Sequence, residues 1–189
     1  MMTTRFIPRF NIIPWLIGIL LSTAAMVLGY DLGGEIASLL GGEPGIWARM
    51  CKGLVWGLVI SGLQWPIVRA VGVPPVRFCV AGAVGLAVGY PFGQTIQAIM
   101  VHHWSLHWWG YWSAAATFGL SLGVPQWWIF RRRMKRASLW ILFSVTGWIL
   151  TGVAWINLGG ASGVDSVMYG IVTGLGLVWL VQSQAPKRE

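Results

Sequence analysis

The residues best suited to chemistry in this sequence cluster in one aromatic stretch near its middle. All three histidines of the chain lie here, as His102, His103 and His107, with Trp104 and Trp108 beside them. A neutral imidazole is a good axial ligand for the metal of a macrocycle, and indole faces can pack against the ring. One interpretation is therefore a site for haem or a chlorophyll-type pigment, with carotenoid or lipid as other candidate occupants.

The same stretch has a second interpretation, which we favour. Tryptophan and tyrosine are common at both membrane–water interfaces, where their amphipathic rings lie at the level of the headgroups. Residues 101–112 would then form an aromatic belt with interfacial histidines and bind no ligand. Both interpretations place this stretch at the edge of a bilayer.

The composition predicts that lipid surrounds most of the chain. Only 10% of the 189 residues are charged, 56% are hydrophobic, and the mean hydropathy is +0.69. A soluble domain carries about 25% charged residues. The net charge of +8 is spread between apolar runs and forms no separate basic domain, which argues against nucleic-acid binding.

The apolar runs predict an all-α polytopic membrane protein with about six transmembrane helices. The predicted spans are 10–30, 46–71, 78–100, 108–130, 138–158 and 164–181. Prolines in or near the spans predict kinks rather than breaks, at Pro14, Pro66, Pro91 and Pro125. Between the first two spans, residues 31–45 predict a short amphipathic piece that lies along the interface.

The basic residues predict the orientation. With the N-terminus in the cytoplasm, eleven of the thirteen Lys and Arg residues fall on the cytoplasmic side, and only Arg49 and Lys52 fall outside. The positive-inside rule then places both termini in the cytoplasm. We interpret Arg49 and Lys52 as a snorkelling pair with acidic neighbours. No acidic residue falls in the interior of a predicted span, since Asp165 is the second residue of the sixth, and this argues against a proton-coupled carrier.

One pattern occurs twice, 62 residues apart. Residues 57–69 are GLVISGLQWPIVR and residues 119–131 are GLSLGVPQWWIFR, which places Gln64 and Gln126 in register. The match predicts an internal repeat over roughly 53–104 and 115–166, with partial copies at 10–30 and 164–182. The chain would then be a single membrane domain over residues 1–189, built from three helical hairpins in parallel orientation.

Four glutamines are the strongest polar side chains in or near the spans: Gln64, Gln94, Gln97 and Gln126. Hydrogen bonds of such side chains between membrane helices contribute roughly 0.6 kcal/mol each. The recurrence of Gln64 and Gln126 favours a helix-packing role. Gln94 and Gln97 lie one turn apart and would also suit the outer mouth of a small polar-ligand site.

A basic run lies between the fourth and fifth spans, at Arg131, Arg132, Arg133, Lys135 and Arg136. Five charges exceed what orientation alone requires, so the run predicts an anionic partner at the cytoplasmic face. Lipid headgroups are the interpretation we favour, because each basic residue near an anionic surface contributes about 1 kcal/mol. The acidic surface of a protein partner is the alternative.

The repeated pattern, Gly-x-x-x-x-Gly/Val-x-Gln-Trp-x-x-x-Arg with a Gly- and Trp-rich return helix, resembles a family of small uncharacterised polytopic membrane proteins. That family occurs in cyanobacteria and filamentous phototrophs. The resemblance covers about the second to sixth spans, and Val68 and Phe130 stand where members often have leucine. It implies a bacterial inner or thylakoid membrane with photosynthetic or respiratory complexes, and no particular activity.

The chain shows no phosphate-binding loop, metal-binding helix motif or catalytic triad spacing, and we expect a non-enzymatic protein. The favoured hypothesis is an accessory or assembly subunit of a larger photosynthetic or respiratory membrane complex that holds pigment, lipid or quinone. The alternative is the substrate-binding membrane subunit of a vitamin or metal uptake transporter. Such subunits share this size, six spans and an aromatic-rich outer pocket.

Overall fold

The computed structural model describes residues 12–42, 45–158 and 163–184. Within these ranges the chain forms helices and no strands, so the predicted all-α class is confirmed. The six α-helices are α1 (Ile13–Leu39), α2 (Ile46–Val68), α3 (Pro75–Trp104), α4 (His107–Phe130), α5 (Leu139–Leu158) and α6 (Val164–Gln182). A 3-10 turn, Arg69–Val71, follows α2. The helices α2, α3 and α4 continue through their internal prolines, Pro66, Pro91 and Pro125.

Five of these helices are long and apolar enough to cross a bilayer, namely α1, α2 with its 3-10 turn, α3, α5 and α6. The predicted multi-pass membrane character is therefore confirmed. At 24 residues α4 is also long enough, since a helix rises about 1.5 Å per residue. Its first two turns are rich in tryptophan, histidine and tyrosine, which lowers its hydropathy. The crossing of the membrane by α4 stays a prediction.

The first helix is longer than the sequence analysis predicts. Instead of ending at Tyr30, α1 continues to Leu39. The segment that was expected to form a separate interfacial piece is instead the last two and a half turns of this helix. The continuation follows from close packing on α2. A Cβ atom on Gly33 would lie 2.9 Å from the carbonyl oxygen of Lys52.

Three acidic residues lie in the helices, and two of them lie where the sequence predicts a segment between spans. Asp31 and Glu35 belong to α1, and Asp165 belongs to the first turn of α6. A charge beside a Gly-Gly pair is typical of a loop, whereas here Gly33 packs against α2 and the helix continues. The argument against a proton-coupled carrier stays a prediction.

The six helices form a closed ring. Each helix packs against its neighbours in the chain, while α6 packs against α1 and also touches α2. Because the connections are short, consecutive helices are antiparallel, and the ring has two distinct ends. We name as the basic end the one that carries Arg69, Arg77 and residues 131–136. We name as the aromatic end the opposite one, where α3 meets α4.

Glycines allow neighbouring helices to approach closely. A Cβ atom on Gly57 in α2 would lie 3.0 Å from the Cα atom of Ala83 in α3, and one on Gly119 in α4 would lie 2.5 Å from the Cα atom of Val145 in α5. Gly119 follows Gly57 by 62 residues, and Val145 follows Ala83 by the same number. This is the offset of the sequence repeat. Close backbone approach matters here because lipid provides no hydrophobic force between helices. These two contacts occupy matched positions, and the repeat as a whole stays a prediction.

Leucine at either glycine tests this packing. We expect Gly57→Leu and Gly119→Leu to force the helices apart and lower the melting temperature of the detergent-solubilised protein by about 5 °C or more, because overpacking costs about 1–3 kcal/mol. Gly62→Leu is the matched control, since nothing lies within 4 Å of a Cβ atom there. Equal melting temperatures for the three variants would contradict the packing.

Candidate functional site

A cavity of about 580 Å³ lies at the aromatic end of the ring. All six helices contribute to its lining, from Met26 in α1 to Ser166 in α6. Its volume lies within the range of about 300–1,000 Å³ that is usual for small-molecule sites. The residues that line it come from segments far apart in the sequence, and closure of the ring brings them together.

An aromatic layer crosses the ring at the floor of this cavity. It takes one side chain from each helix in chain order: Tyr30, Trp56, Tyr90, Phe118, Trp148 and Tyr169. Ring centroids of consecutive members lie 5.2–5.9 Å apart. Across the ring, the centroids of Trp56 and Trp148 lie 4.8 Å apart in an edge-to-face arrangement. The layer therefore closes the centre of the bundle below the cavity.

Polar side chains line the cavity above the aromatic layer. Gln94 and Gln97 contribute from α3, Asp31 from α1 and Asp165 from α6. Asp31 is exposed, whereas Asp165 is only 9% exposed. The hydroxyl of Thr151 donates to the main-chain carbonyl of Gly147 at 2.9 Å and lies 3.1 Å from that of Asp165, which places the start of α6 against α5.

The side chain of Lys52 points into the bundle, so its interpretation as a snorkelling residue is wrong. Lys52 is 2% exposed, and its ammonium lies 4.0 Å from the ring centroid of Tyr30 and 5.5 Å from that of Tyr90. Such cation–π contacts contribute about 2 kcal/mol when the cation is desolvated. Both tyrosines also line the cavity. Arg49, one turn earlier in α2, is half-buried.

Several buried polar atoms around the aromatic layer have no hydrogen-bond partner among the described residues. They include the indole nitrogens of Trp56 and Trp148, both of which belong to residues that line the cavity. The hydroxyl of Tyr169 lies beside Gln64 and Thr173 but makes no hydrogen bond of ordinary geometry. A buried donor without an acceptor costs about 1–3 kcal/mol. The floor of the cavity therefore has unused hydrogen-bonding capacity.

The histidine and tryptophan cluster lies outside this cavity. His102, His103 and Trp104 end α3, and His107 and Trp108 begin α4. All five side chains are exposed, and none of them lines the cavity. One ring nitrogen of His107, Nδ1, lies 3.2 Å from the main-chain carbonyl oxygen of the intervening turn. The structure thus places these residues on the surface, and their role as macrocycle ligands stays a prediction.

Gln64 and Gln126 are fully buried near the middle of the bundle. The side-chain amide of Gln64 donates to the hydroxyl of Ser22 in α1 at 3.2 Å. That of Gln126 donates to the hydroxyl of Ser61 in α2 at 3.0 Å. The structure therefore places both side chains in hydrogen bonds between helices.

The two glutamines differ at their acceptor oxygens. The Oε1 atom of Gln126 accepts a hydrogen bond of 2.8 Å from the indole nitrogen of Trp140. The repeat aligns Phe78 with Trp140, and phenylalanine has no donor. The Oε1 atom of Gln64 accordingly has no partner in the part of the chain that the structure describes.

The basic run forms a surface at the basic end. Its five cationic side chains are exposed, while Met134 between them is buried and anchors the loop. The main-chain N–H of Lys135 also donates to the Oε1 atom of Gln184 beyond α6, at 3.1 Å. The guanidinium of Arg131 lies 3.4 Å from the ring centroid of Trp128. The loop is thus anchored with its charges outward, and the anionic partner stays a prediction.

Comparison of the chain with protein-family models, with curated proteins and with solved structures finds no match. The family resemblance drawn from the repeated motif stays a prediction. A function for this chain therefore has to be argued from its own geometry.

The sequence analysis missed the two aspartates and the aromatic layer. Asp31 begins the predicted interfacial piece and Asp165 is the second residue of the predicted sixth span, so neither was predicted to line a site. The layer consists of single aromatic residues on six separate helices. One available signal was the spacing of Gly29 and Gly33, which continues a small-residue helix face past Tyr30. For the layer, the sequence contains a partial signal, since Trp56 and Phe118 are in register in the repeat and Tyr30 and Tyr90 both follow a glycine at the end of similar runs.

Replacing each buried glutamine tests the difference between them. We expect Gln126→Leu to lower the melting temperature more than Gln64→Leu, because it leaves the Trp140 indole without an acceptor at a cost of about 1–3 kcal/mol. Loss of the single Gln64 bond should cost about 0.6 kcal/mol. Thermal unfolding of both variants in one detergent measures the difference. A loss for Gln64→Leu that equals or exceeds that for Gln126→Leu would contradict the assigned bonds.

Proposed function

We propose that the protein is a membrane-embedded binding protein that captures a small organic molecule from the outer side of the membrane. The cavity at the aromatic end is the observation that carries the proposal. It combines contributions from all six helices, an aromatic floor and polar groups near its rim. This combination is typical of ligand sites, which are mostly apolar with a few placed polar groups. Among the predicted functions, the substrate-binding subunit of an uptake system fits it best.

The lining favours an organic ligand over a metal ion as the captured molecule. Indole and phenol rings form much of its surface, and such rings bind ligands through apolar contact. In the described ranges no three His, Cys, Asp or Glu side chains lie together as metal ligands would. The aromatic surface is the positive argument, and it applies to vitamins and similar small molecules.

The charges at the two ends support an outward-facing cavity. Arg69, Arg77 and the basic run lie at the basic end, and positive charge favours the cytoplasmic side. The guanidinium groups of Arg69 and Arg131 lie 5.8 and 5.6 Å from the ring centroids of Trp65 and Trp127, as expected at a membrane–water interface. With α4 as the sixth span, both termini lie in the cytoplasm and the cavity faces outward.

A role as subunit of a larger assembly is a second candidate, supported by the basic surface. The anchored run at Arg131–Arg136 would face the cytoplasm, where an uptake subunit meets its energising partner. Anionic lipid headgroups could occupy the same surface. The photosynthetic or respiratory accessory role stays a prediction from the sequence, and the basic surface is compatible with it.

Filling the cavity tests the proposed function. Gly152 in α5 lines the cavity, and a Cβ atom there would lie 3.3 Å from Cβ of Ala115, so leucine at this position projects into the space. Native mass spectrometry of protein extracted in lipid nanodiscs should show one bound small molecule on the wild type and on the lipid-facing control Gly62→Leu. We expect that molecule to be absent from Gly152→Leu, because the leucine side chain would occupy part of the cavity that the molecule fills. Identical bound masses on all three proteins would overturn the proposal.

The orientation has its own test. A reporter inserted at Gly41, an exposed glycine with a φ of 91° just beyond α1, should report the outer side of the membrane. A reporter fused after Glu189 should report the cytoplasm, because the basic end is expected there. A C-terminal reporter found outside would contradict both the orientation and the outward-facing cavity.

A further inference from the structure

The charged side chains of the cavity indicate a class of ligand. Two carboxylates, those of Asp31 and Asp165, belong to its lining, and no Lys, Arg or His among the described residues does. The carboxylate of Asp165 indicates the ligand class more strongly than that of Asp31, because Asp165 is only 9% exposed whereas Asp31 is exposed to solvent. The N-terminus of α6 favours a negative charge at this position, and a cationic ligand would add a direct partner for it.

The aromatic walls favour the same class. Ring faces carry partial negative charge and attract ammonium groups, tryptophan most strongly. The chain already uses this interaction, because Tyr30 and Tyr90 hold the ammonium of Lys52 at 4.0 and 5.5 Å. The aromatic walls of the cavity offer further ring faces of the same kind to the ammonium group of a ligand.

The floor of the cavity adds an independent observation. The indole nitrogens of Trp56 and Trp148 are buried and lack an acceptor within the described ranges, although both residues line the cavity. The residues themselves are only 4% and 2% exposed. Ligand sites bury such donors for a bound molecule to satisfy, and here an oxygen on the ligand would serve as acceptor.

We propose, building on the binding function proposed above, that the ligand is an organic monocation. It is a protonated or quaternary amine on a mostly apolar, ring-sized body that also carries an oxygen acceptor. It lies between the aromatic walls with its charge toward Asp165 and Asp31. The cavity of about 580 Å³ accommodates a molecule of this kind. Neutral and anionic molecules of the same shape bind more weakly, because they leave the Asp165 carboxylate without a counterion.

Three probes that share one ring but differ in charge test the proposal. They are benzyltrimethylammonium, benzyl alcohol and benzenesulfonate, titrated by calorimetry into the full chain in lipid nanodiscs. We expect the cation to bind roughly tenfold or more tightly than the alcohol, and the sulfonate to bind most weakly. Failure of the cation to bind, or an affinity no higher than that of either other probe, would overturn the cation class.

Matched variants assign the effect to the cavity. Asp165→Asn and Asp31→Asn keep the shape of the side chain and remove its charge, so each should weaken the cation, Asp165→Asn by roughly tenfold. Glu35→Gln removes a charge one turn beyond Asp31 on α1 but outside the cavity lining, and it should leave the affinity unchanged. Melting curves without probe verify that the variants are folded. Equal affinities for Asp165→Asn and wild type would overturn the proposal.

The test is separable from that of the binding function itself. A neutral or anionic molecule that is retained by the wild type and lost from Gly152→Leu would overturn the cation class while supporting the cavity as a binding site. Cation binding that persists in Gly152→Leu would place the cation outside the cavity and overturn the proposal. Weaker cation binding in Gly152→Leu and in Asp165→Asn, with unchanged binding in Glu35→Gln, supports both the binding function and the cation class.

Discussion

The ring of helices depends on the contact between its first and last members, because lipid provides no hydrophobic force to press helices together. At this contact Gly18 in α1 and Gly174 in α6 approach backbone to backbone. A Cβ atom on Gly18 would lie 2.9 Å from the carbonyl oxygen of Gly174. The neighbouring Gly170 packs against the side chain of Thr23, and a Cβ atom there would lie 2.8 Å from the carbonyl oxygen of Ile19. If this seam opened, the cavity would lose a wall, since Asp31 and Asp165 lie on the two helices that meet there.

The closed bundle has two halves, which differ in the size of the side chains that fill their interiors. Toward the basic end, large side chains fill the interior, including Phe78, Phe130 and Trp140, all fully buried. Toward the aromatic end, small residues such as Ala114 and Ala115 face the interior and leave it open. The aromatic layer separates the two halves. The cavity is therefore accessible from one end of the ring, which suits capture of a ligand better than a continuous pathway through the bundle.

The sequence predicts the helices well and the site poorly, for related physical reasons. A helix in lipid satisfies its own backbone, so the run of apolar residues that forms it is visible locally, and the observed bounds of α2, α4, α5 and α6 lie within three residues of the prediction. The end of α1 was missed because Gly33 and Asp31 are typical of a loop. Only their contacts with α2 and the cavity reveal why they remain helical.

The cavity could not be predicted from local pattern, because no segment of the chain contains it. Its floor uses a single aromatic residue from each helix, and its two carboxylates are separated by more than a hundred residues. The dense histidine and tryptophan cluster gave the stronger local signal, yet those side chains lie on the surface. Gln94 and Gln97 came nearest, since their spacing indicated the mouth of a site between helices and they do line the cavity.

Accessibility of two positions on α5 tests the central claim that a cavity opens outward and ends at the aromatic layer. Thr151 lines the cavity, whereas Ser144, two turns away on the same helix, is fully buried and donates to the Gly119 carbonyl at 2.9 Å. In a background with both native cysteines replaced by serine, a membrane-impermeant thiol reagent added outside intact cells should modify Thr151→Cys and spare Ser144→Cys. Modification of Thr151→Cys from the cytoplasmic side alone, or of neither cysteine from outside, would contradict the account.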